Sequence, residues 1–282
     1  MSELSASTTT HPTSPASAAP KTGGRWDDLM PRLISGAVMV GVGVFAIWMG
    51  GIWFQALVSI ATGLMIWELT RMVAPEVAAR GVLFGQFSVA LIMAVPQIGA
   101  LWILPWVIGL ALVATLTMPR RSSIYAIFFS AILIAGYGLV TFRSLNGVTW
   151  LFWMVIVVVV TDVFGYFAGR FIGGPKFWPR VSPKKTWSGT VAGWIGAGLV
   201  GAIFLVYTTA GRDLIWISML LSFASQMGDV AESALKRRVG VKDSSNLIPG
   251  HGGLFDRFDG LLGAALFMLL VASLVEVPEV RF

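Results

Sequence analysis

The densest chemistry in this 282-residue chain lies between Gln226 and Asp259. Asp229, Glu232, Ser233 and Lys236 fall at i, i+3, i+4 and i+7, so one helical face carries two acids, a hydroxyl and a cation. Asp256 and Asp259 are three apart and share a face of a second helix. Pro249-Gly250-His251-Gly252-Gly253 lies between them and predicts a turn whose backbone can approach a ligand closely. Lys236, Arg237, Arg238, Lys242 and Arg257 surround that turn. Carboxylates on two helices, joined by a loop rich in cations and glycine, suit a Mg²⁺–polyphosphate site. Magnesium takes a few hard oxygen ligands from protein and completes its shell with phosphate oxygens and water. His251 could donate to a phosphate or fix the turn through its own hydrogen bonds.

A third carboxylate, Asp162, lies toward the end of another apolar stretch. Asp162, Asp229 and Asp259 then converge at one depth from three helices. That convergence favours a cation site, while structural ion pairs with nearby Lys and Arg are the competing reading. Glu68 stands beside Arg71 and reads as an ordinary i,i+3 pair. Residues 169–187 carry Arg170, Lys176, Arg180, Lys184 and Lys185 and no acid. A basic, Gly-rich loop of this kind can clamp phosphate. Membrane topology explains such charges equally well.

These residues need elements to hold them, and the elements are membrane helices. The chain is 56% apolar and 12% charged, with mean hydropathy +0.80. A soluble domain carries about twice that charge. Residues 33–67 and 81–119 hold no charge, and each is too long for one span. Gly50-Gly51 and Pro96-Gln97-Ile98-Gly99 divide them. Spans are expected at 33–49, 52–68, 81–96, 99–118, 122–142, 148–168, 188–210, 214–233 and 259–275. The expected fold is an all-α polytopic membrane protein of about nine transmembrane helices. With the N-terminus cytoplasmic, only Arg143, Arg212 and Arg281 of the 20 Lys and Arg fall on the far side. The active site then lies at the cytoplasmic membrane boundary. Residues 1–30 read as a disordered cytoplasmic tail, 31–150 as N-terminal transmembrane helices and 151–282 as a C-terminal catalytic region. Gly189, Gly193, Ala197 and Gly201 are each four apart and make a stripe that suits close helix packing or a lipid groove.

Composition excludes whole classes of chemistry. There is no cysteine, so thiol nucleophiles, disulfides and iron–sulfur clusters are out. His11 and His251 are the two histidines, so a polyhistidine metal site is out as well.

The run Ser233-x-x-Lys236-Arg237-x4-Lys242-Asp243-x5-Pro249-x-His251-Gly252-Gly253-x-x-Asp256-Arg257-x-Asp259 resembles the motif of the phosphatidate cytidylyltransferases, or CDP-diacylglycerol synthases. Asp162-x-x-Gly-Tyr166-x-x-Gly169-Arg170 and Ser182-Pro183-Lys184-Lys185-Thr186 look like two upstream motifs of the same family. The resemblance covers about 160–260 and fits at every fixed position. It implies the reaction CTP + phosphatidate → CDP-diacylglycerol + pyrophosphate, in phospholipid biosynthesis at a bacterial plasma membrane. It also implies that Asp229, Asp256 and Asp259 hold the metal; the shared depth of the carboxylates adds Asp162 to that set. The metal is Mg²⁺, with room for a second cation. Lys184, Lys185, Lys236, Arg237, Lys242 and Arg257 would hold the triphosphate or the lipid phosphate. Ser182, Thr186, Ser233, Gly252 and Gly253 complete the substrate contacts, and His251 joins the catalytic set. The partners are the two substrates and membrane lipids; nucleic acid is not among them, and a homodimer is admitted.

Three rival readings fit the residues less well. A CTP-dependent polyprenol kinase lacks the full His-Gly-Gly-x-x-Asp-Arg-x-Asp run. A CDP-alcohol phosphatidyltransferase has a longer acidic pattern that is absent here. A transporter expects its polar residues at the bilayer midplane.

Overall fold

The structure is a computed structural model that describes residues 29–98, 100–119 and 122–275. The expected tail over 1–30 lies almost wholly outside the described residues. The chain folds into helices α1 (Leu29–Met49), α2 (Gly51–Val73), α3 (Ala78–Met93), α4 (Val95–Ile98), α5 (Ala100–Leu116), α6 (Ser122–Phe171), α7 (Trp187–Tyr207), α8 (Asp213–Val239) and α9 (Phe255–Leu274). Two short strands, β1 (Lys176–Trp178) and β2 (Ser182–Thr186), pair antiparallel. It is an all-α polytopic membrane protein.

Among the described residues, seven helices are long and apolar enough to cross a membrane. One is the run 123–171, far longer than a bilayer is thick. Gly147 interrupts it with φ of 82°, a left-handed conformation that glycine adopts without steric cost. Dividing that run at Gly147 and adding the shorter apolar helix 102–116 is what nine spans require.

Two apolar clusters fill the interior. Ile66, Leu69, Tyr125, Phe129, Leu133 and Phe255 form one, around α2, the first half of α6 and the start of α9. Trp150, Trp153, Met154, Val157, Ala197, Leu221 and Ala264 form the other, around the second half of α6 and α7–α9. Outward-facing Trp48, Trp102, Trp106 and Leu116 are exposed apolar side chains, as lipid-facing positions require. Trp153 Nε1 donates to Ser218 Oγ at 3.1 Å, and Thr161 Oγ1 donates to Ser222 Oγ at 2.8 Å, so polar atoms inside the bundle are paired.

The small-residue stripe packs, as one of its two readings held. A Cβ on Gly189 would lie 2.5 Å from the Gly165 carbonyl oxygen of α6. One on Gly201 would lie 2.6 Å from Ser218 Oγ of α8. The same device joins α8 to α9. A Cβ on Gly228 would run into the Asp259 carbonyl oxygen, and one on Gly263 into that of Ala224.

Element boundaries differ from expectation where the site lies. Helix α8 continues to Val239, six residues past the expected span end at 233, so it carries Lys236 on the expected helical face and Arg237 and Arg238 with it. Gly240 ends it in the left-handed conformation, donating its N–H to the Lys236 carbonyl at 2.9 Å. Helix α9 starts at Phe255, four residues early, which puts Asp256 in its first turn. The basic stretch 169–187 contains the β1–β2 hairpin where an irregular loop was expected.

Because Gly228 touches backbone rather than a movable side chain, Gly228→Ala should force α8 and α9 apart. The expected loss is about 1–3 kcal/mol. Thermal unfolding of the detergent-solubilised variant against the wild type measures it.

Candidate active site

The Gly228–Gly263 crossing sets Asp229 of α8 beside Asp259 of α9. Asp229 is half-buried and doubly held. Ser233 Oγ donates to its Oδ1 at 3.2 Å, and Lys185 Nζ pairs with its Oδ2 at 2.6 Å. Asp259 Oδ1 accepts from the Gly260 N–H at 2.7 Å. Asp162, Asp229 and Lys236 are all near enough for their charges to bear on Asp259. The charge of Lys185 reaches Asp162 as well.

Lys236 sits one face-turn further along α8. Its Nζ lies 2.5 Å from Glu232 Oε2 and 2.7 Å from Asp256 Oδ1. Glu232 is 1% exposed and accepts no well-directed hydrogen bond among the described residues, so the ammonium charge is what holds it. Asp256 is used up by its neighbours. Ser244 N–H donates to both of its oxygens, at 3.1 and 2.9 Å, while Ser244 Oγ and the Gly253 N–H donate to Oδ2 at 2.9 and 2.8 Å. Reaching back from the first turn of α9 to Gly253, Asp256 acts as the acidic half of a capping box.

The loop 241–254 is folded back on itself by a bridge between Ile248 and Gly252. Gly252 has φ of 88°. His251 is half-buried, with Nδ1 at 2.8 Å from Ser35 Oγ of α1. Arg257 Nε and Nη2 donate to the His251 carbonyl at 2.9 and 2.6 Å. Of its two readings, His251 follows the one in which it fixes the turn.

Glu68 departs from expectation. It does not pair with Arg71, whose guanidinium stacks over Trp67 at 5.6 Å. Glu68 is fully buried and accepts from Ser244 Oγ at 3.3 Å, Ser245 Oγ at 2.5 Å, Leu254 N at 2.9 Å and Phe255 N at 2.7 Å. The i,i+3 spacing was a local signal, and donors from a distant loop outweighed it. The available hint was the insertion cost of an acid at the end of an otherwise uncharged span.

A groove of about 490 Å³ opens between α6, the hairpin, α7 and α8. Asp162, Tyr166, Arg170, Lys184, Lys185 and Gln226 line it. Asp162 and Lys184 are exposed to it. Arg170 Nη1 donates to Tyr166 Oη at 2.7 Å. Gln226, not foreseen, is buried and ties the groove's wall together. Its Nε2 donates to the Thr190 carbonyl at 3.2 Å, and Trp194 Nε1 donates to its Oε1 at 3.0 Å. Thr186 is also buried; its Oγ1 caps α7 by accepting the Gly189 N–H at 3.3 Å. Ser182 pairs across the hairpin with Trp178.

The structure therefore lines the groove with Asp162, Lys184 and Lys185, and Lys185 links it to Asp229, which Ser233 holds and whose charge bears on Asp259. It places Lys242 elsewhere, in a second cavity of about 620 Å³ beside Trp67, Arg71 and Asp243–Leu247. Arg237 is exposed on the last turn of α8. Among the described residues no three acidic or histidine side chains close around a single ion position. The donor set still fits a hard cation: Asp162, Asp229 and Asp259 offer carboxylate oxygen alone, and their like charges bear on one another.

Residues 30–275 match the model of the cytidylyltransferase family. The chain belongs to the cytidylyltransferase family. Within it, the chain is 36% identical to a phosphatidate cytidylyltransferase of Brucella abortus over 262 residues, which cover 90% of this chain and 96% of that one. A phosphatidate cytidylyltransferase of Bacillus subtilis is 29% identical over 88% of this chain and 98% of its own length. One from Mycobacterium bovis is 37% identical over 161 residues, 55% of this chain. The family match spans α2 as well as α8 and α9, so the reach of Glu68 into the loop lies within the family's common region.

Lys236→Met strands two buried carboxylates and should cost about 3–5 kcal/mol, whereas Lys184→Met at the exposed groove should change stability by less than about 0.5 kcal/mol. Unfolding curves of the two variants in the same detergent check the contrast.

Proposed function

We propose that this protein is a phosphatidate cytidylyltransferase: it transfers the cytidylyl group of CTP to phosphatidate, giving CDP-diacylglycerol and pyrophosphate. The observation that carries the reading is the groove lined by Asp162, Lys184 and Lys185, from which Lys185 pairs with Asp229 of α8. An oxygen of the phosphatidate phosphate attacks the α-phosphorus of CTP. A new P–O bond forms, the bond to the β-phosphate oxygen breaks, and pyrophosphate leaves with that oxygen and its electron pair. The nucleophile is already ionised at neutral pH, so no thiol, serine or strong base is needed. What the protein must supply is positioning and positive charge.

Asp229 and Asp259 would hold Mg²⁺, with Asp162 completing the oxygen set or holding a second cation. Bound there, Mg²⁺ supplies Lewis-acid polarisation of the phosphoryl oxygens and orients the triphosphate. Asp256 belongs to the loop rather than to the metal, because Lys236, Ser244 and Gly253 occupy its oxygens. Lys185 now neutralises Asp229 at 2.6 Å. When substrate is bound, Lys185 and Lys184 would bind its phosphates from the hairpin side of the groove. Arg170 and Tyr166 lie among exposed Phe167, Phe171 and Ile172, where an acyl chain meets a phosphate. The site faces the cytoplasm of a bacterial plasma membrane, where CTP is available, and the N-terminus lies on the same side.

CTP labelled at the α-phosphorus should deliver its label to the lipid phase when phosphatidate and Mg²⁺ are present. Delivery of γ-label instead identifies a lipid kinase and overturns the reading. Asp229→Asn or Asp259→Asn keeps the side-chain shape and removes the charge. Each should lower turnover by at least about a hundredfold while the protein still inserts and unfolds cooperatively. EDTA should reproduce the loss in the wild type, and added Mg²⁺ should reverse it. A folded Asp259→Asn variant with normal metal-dependent turnover would remove that residue from the metal site.

Lys184→Gln with Lys185→Gln gives a separate check. If the pair clamps phosphate, the KM for CTP or phosphatidate should rise about tenfold or more. Unchanged KM values in a correctly inserted variant leave the two lysines as topology determinants.

A further inference from the structure

We infer that Glu68, on the second helix of the chain, is a positioning residue for the reaction: it caps α9 from another helix and so sets where Asp259 stands. The inference rests on the proposed role of Asp259.

A helix leaves its first N–H groups without intrahelical partners, and its N-terminus attracts negative charge. In α9 those groups are the N–H of Leu254 and Phe255, and both donate to Glu68, at 2.9 and 2.7 Å. The side chain of Leu254 itself caps nothing. Ser244 Oγ and Ser245 Oγ supply two more donors to the same carboxylate. Glu68 is fully buried, and none of the ion pairs among the described residues includes it. Its charge is therefore held by a helix end and two hydroxyls, all contributed by the segment 244–255. A buried carboxylate is tolerable only while such donors converge on it, so the carboxylate and the segment lock each other in place.

The rest of the geometry ties this lock to the site. Ser244 Oγ also donates to Asp256, so the two carboxylates grip one residue from either side. A Cβ on Gly253 would collide with Ser244 Oγ and lie 2.6 Å from Glu68 Oε1, so only glycine lets the carboxylate in. Helix α9 is thus pinned at Leu254–Phe255 by Glu68 and, from Asp259 to Gly263, by its contact with α8. Asp259 sits at the near edge of that contact, one turn from the Glu68 cap. Loosening the cap lets the first turn tilt about the contact and turns the Asp259 side chain away from Asp229.

The test uses the full-length protein in detergent, with Glu68→Gln, Glu68→Asp and Ser245→Ala. Two readouts are taken: amide hydrogen exchange across 243–259, and turnover as a function of Mg²⁺ and CTP. Glu68→Gln keeps the volume but turns an amide NH₂ toward donors. It should speed exchange in that segment selectively, raise the half-saturating Mg²⁺ concentration and lower kcat by about a hundredfold, with the KM for CTP changed by less than about threefold. Glu68→Asp, which restores the charge, should recover part of the kcat. Ser245→Ala, which removes one donor, should shift exchange and kcat in the same direction by less. Wild-type exchange and kcat in Glu68→Gln overturn the proposal. So does faster exchange spread over α2, α3 and α9 alike with kcat and CTP binding lost together, because that is general destabilisation. If Glu68→Gln does not fold, Ser245→Ala carries the test, and wild-type behaviour there overturns it. A wild-type enzyme indifferent to Mg²⁺ and EDTA would sink the metal reading alone, and the exchange result would still decide whether Glu68 holds the segment.

Discussion

Where α8 crosses α9 the two backbones touch, and neither helix has a side chain at the contact. Gly228 lies against the Asp259 carbonyl and Gly263 against that of Ala224. In a bilayer no water drives helices together, so close approach through small residues is the main source of affinity. The crossing also does something a larger residue would prevent. It places two acids, Asp229 next to Gly228 and Asp259 one turn before Gly263, on the helix faces that meet. Each then bears on the other's charge as a consequence of the packing. Lys185 balances the charge of Asp229 in this structure. The groove beside that pair is where substrate phosphates and a divalent ion can take over the task.

The same logic sorts the basic residues. Lys236 is locked between Glu232 and Asp256, and Arg257 is committed to the His251 carbonyl. Both hold the loop in shape. Lys184 and Arg170 are exposed along the groove, and Lys242 faces the second cavity. Proximity in sequence thus conceals two different jobs. Of the cations in and around the motif, Lys236 and Arg257 are engaged within the loop and helices, whereas Lys184, Lys185 and Arg170 line the groove.

Much of this was legible in the residues alone. The helical face of Asp229, Glu232, Ser233 and Lys236 formed as its spacing required, and the turn at Gly250–Gly253 formed where glycine allowed it. The small-residue stripe packed. Other features depended on tertiary partners that a linear pattern does not reveal. Helix α9 begins early because Glu68 and Asp256 satisfy its first N–H groups, and one of those acids lies on α2. The family resemblance names Asp256 as a metal ligand; in this structure its oxygens accept from Lys236, Ser244 and Gly253, contacts that the linear pattern does not show. Thr186 and His251 carry polar atoms suited to substrate, and both turn them to structural bonds. The hairpin at 176–186 escaped notice because charge and glycine masked its short pairing.

The trans cap on α9 has a consequence for how the chain is made. Glu68 and its nearest donor, Ser244, are 176 residues apart, and Ser35 and His251 are 216 apart. During synthesis α2 reaches the membrane with its carboxylate long before any of its four partners exists. At about 5–20 residues per second, the wait lasts roughly ten seconds or more. Until then α2 carries an acid with none of the donors that later bury it, and insertion scales charge about 2.5–3.5 kcal/mol for such a group at a span's centre. Position relieves this: Glu68 is five residues from the helix end at Val73, close enough to the boundary to stay wet. Seating α2 fully is therefore an event of late assembly, completed as the last helix enters. A chain cut short before Phe255 would leave α2 with an open end, a natural mark by which quality control could tell an unfinished protein from a finished one.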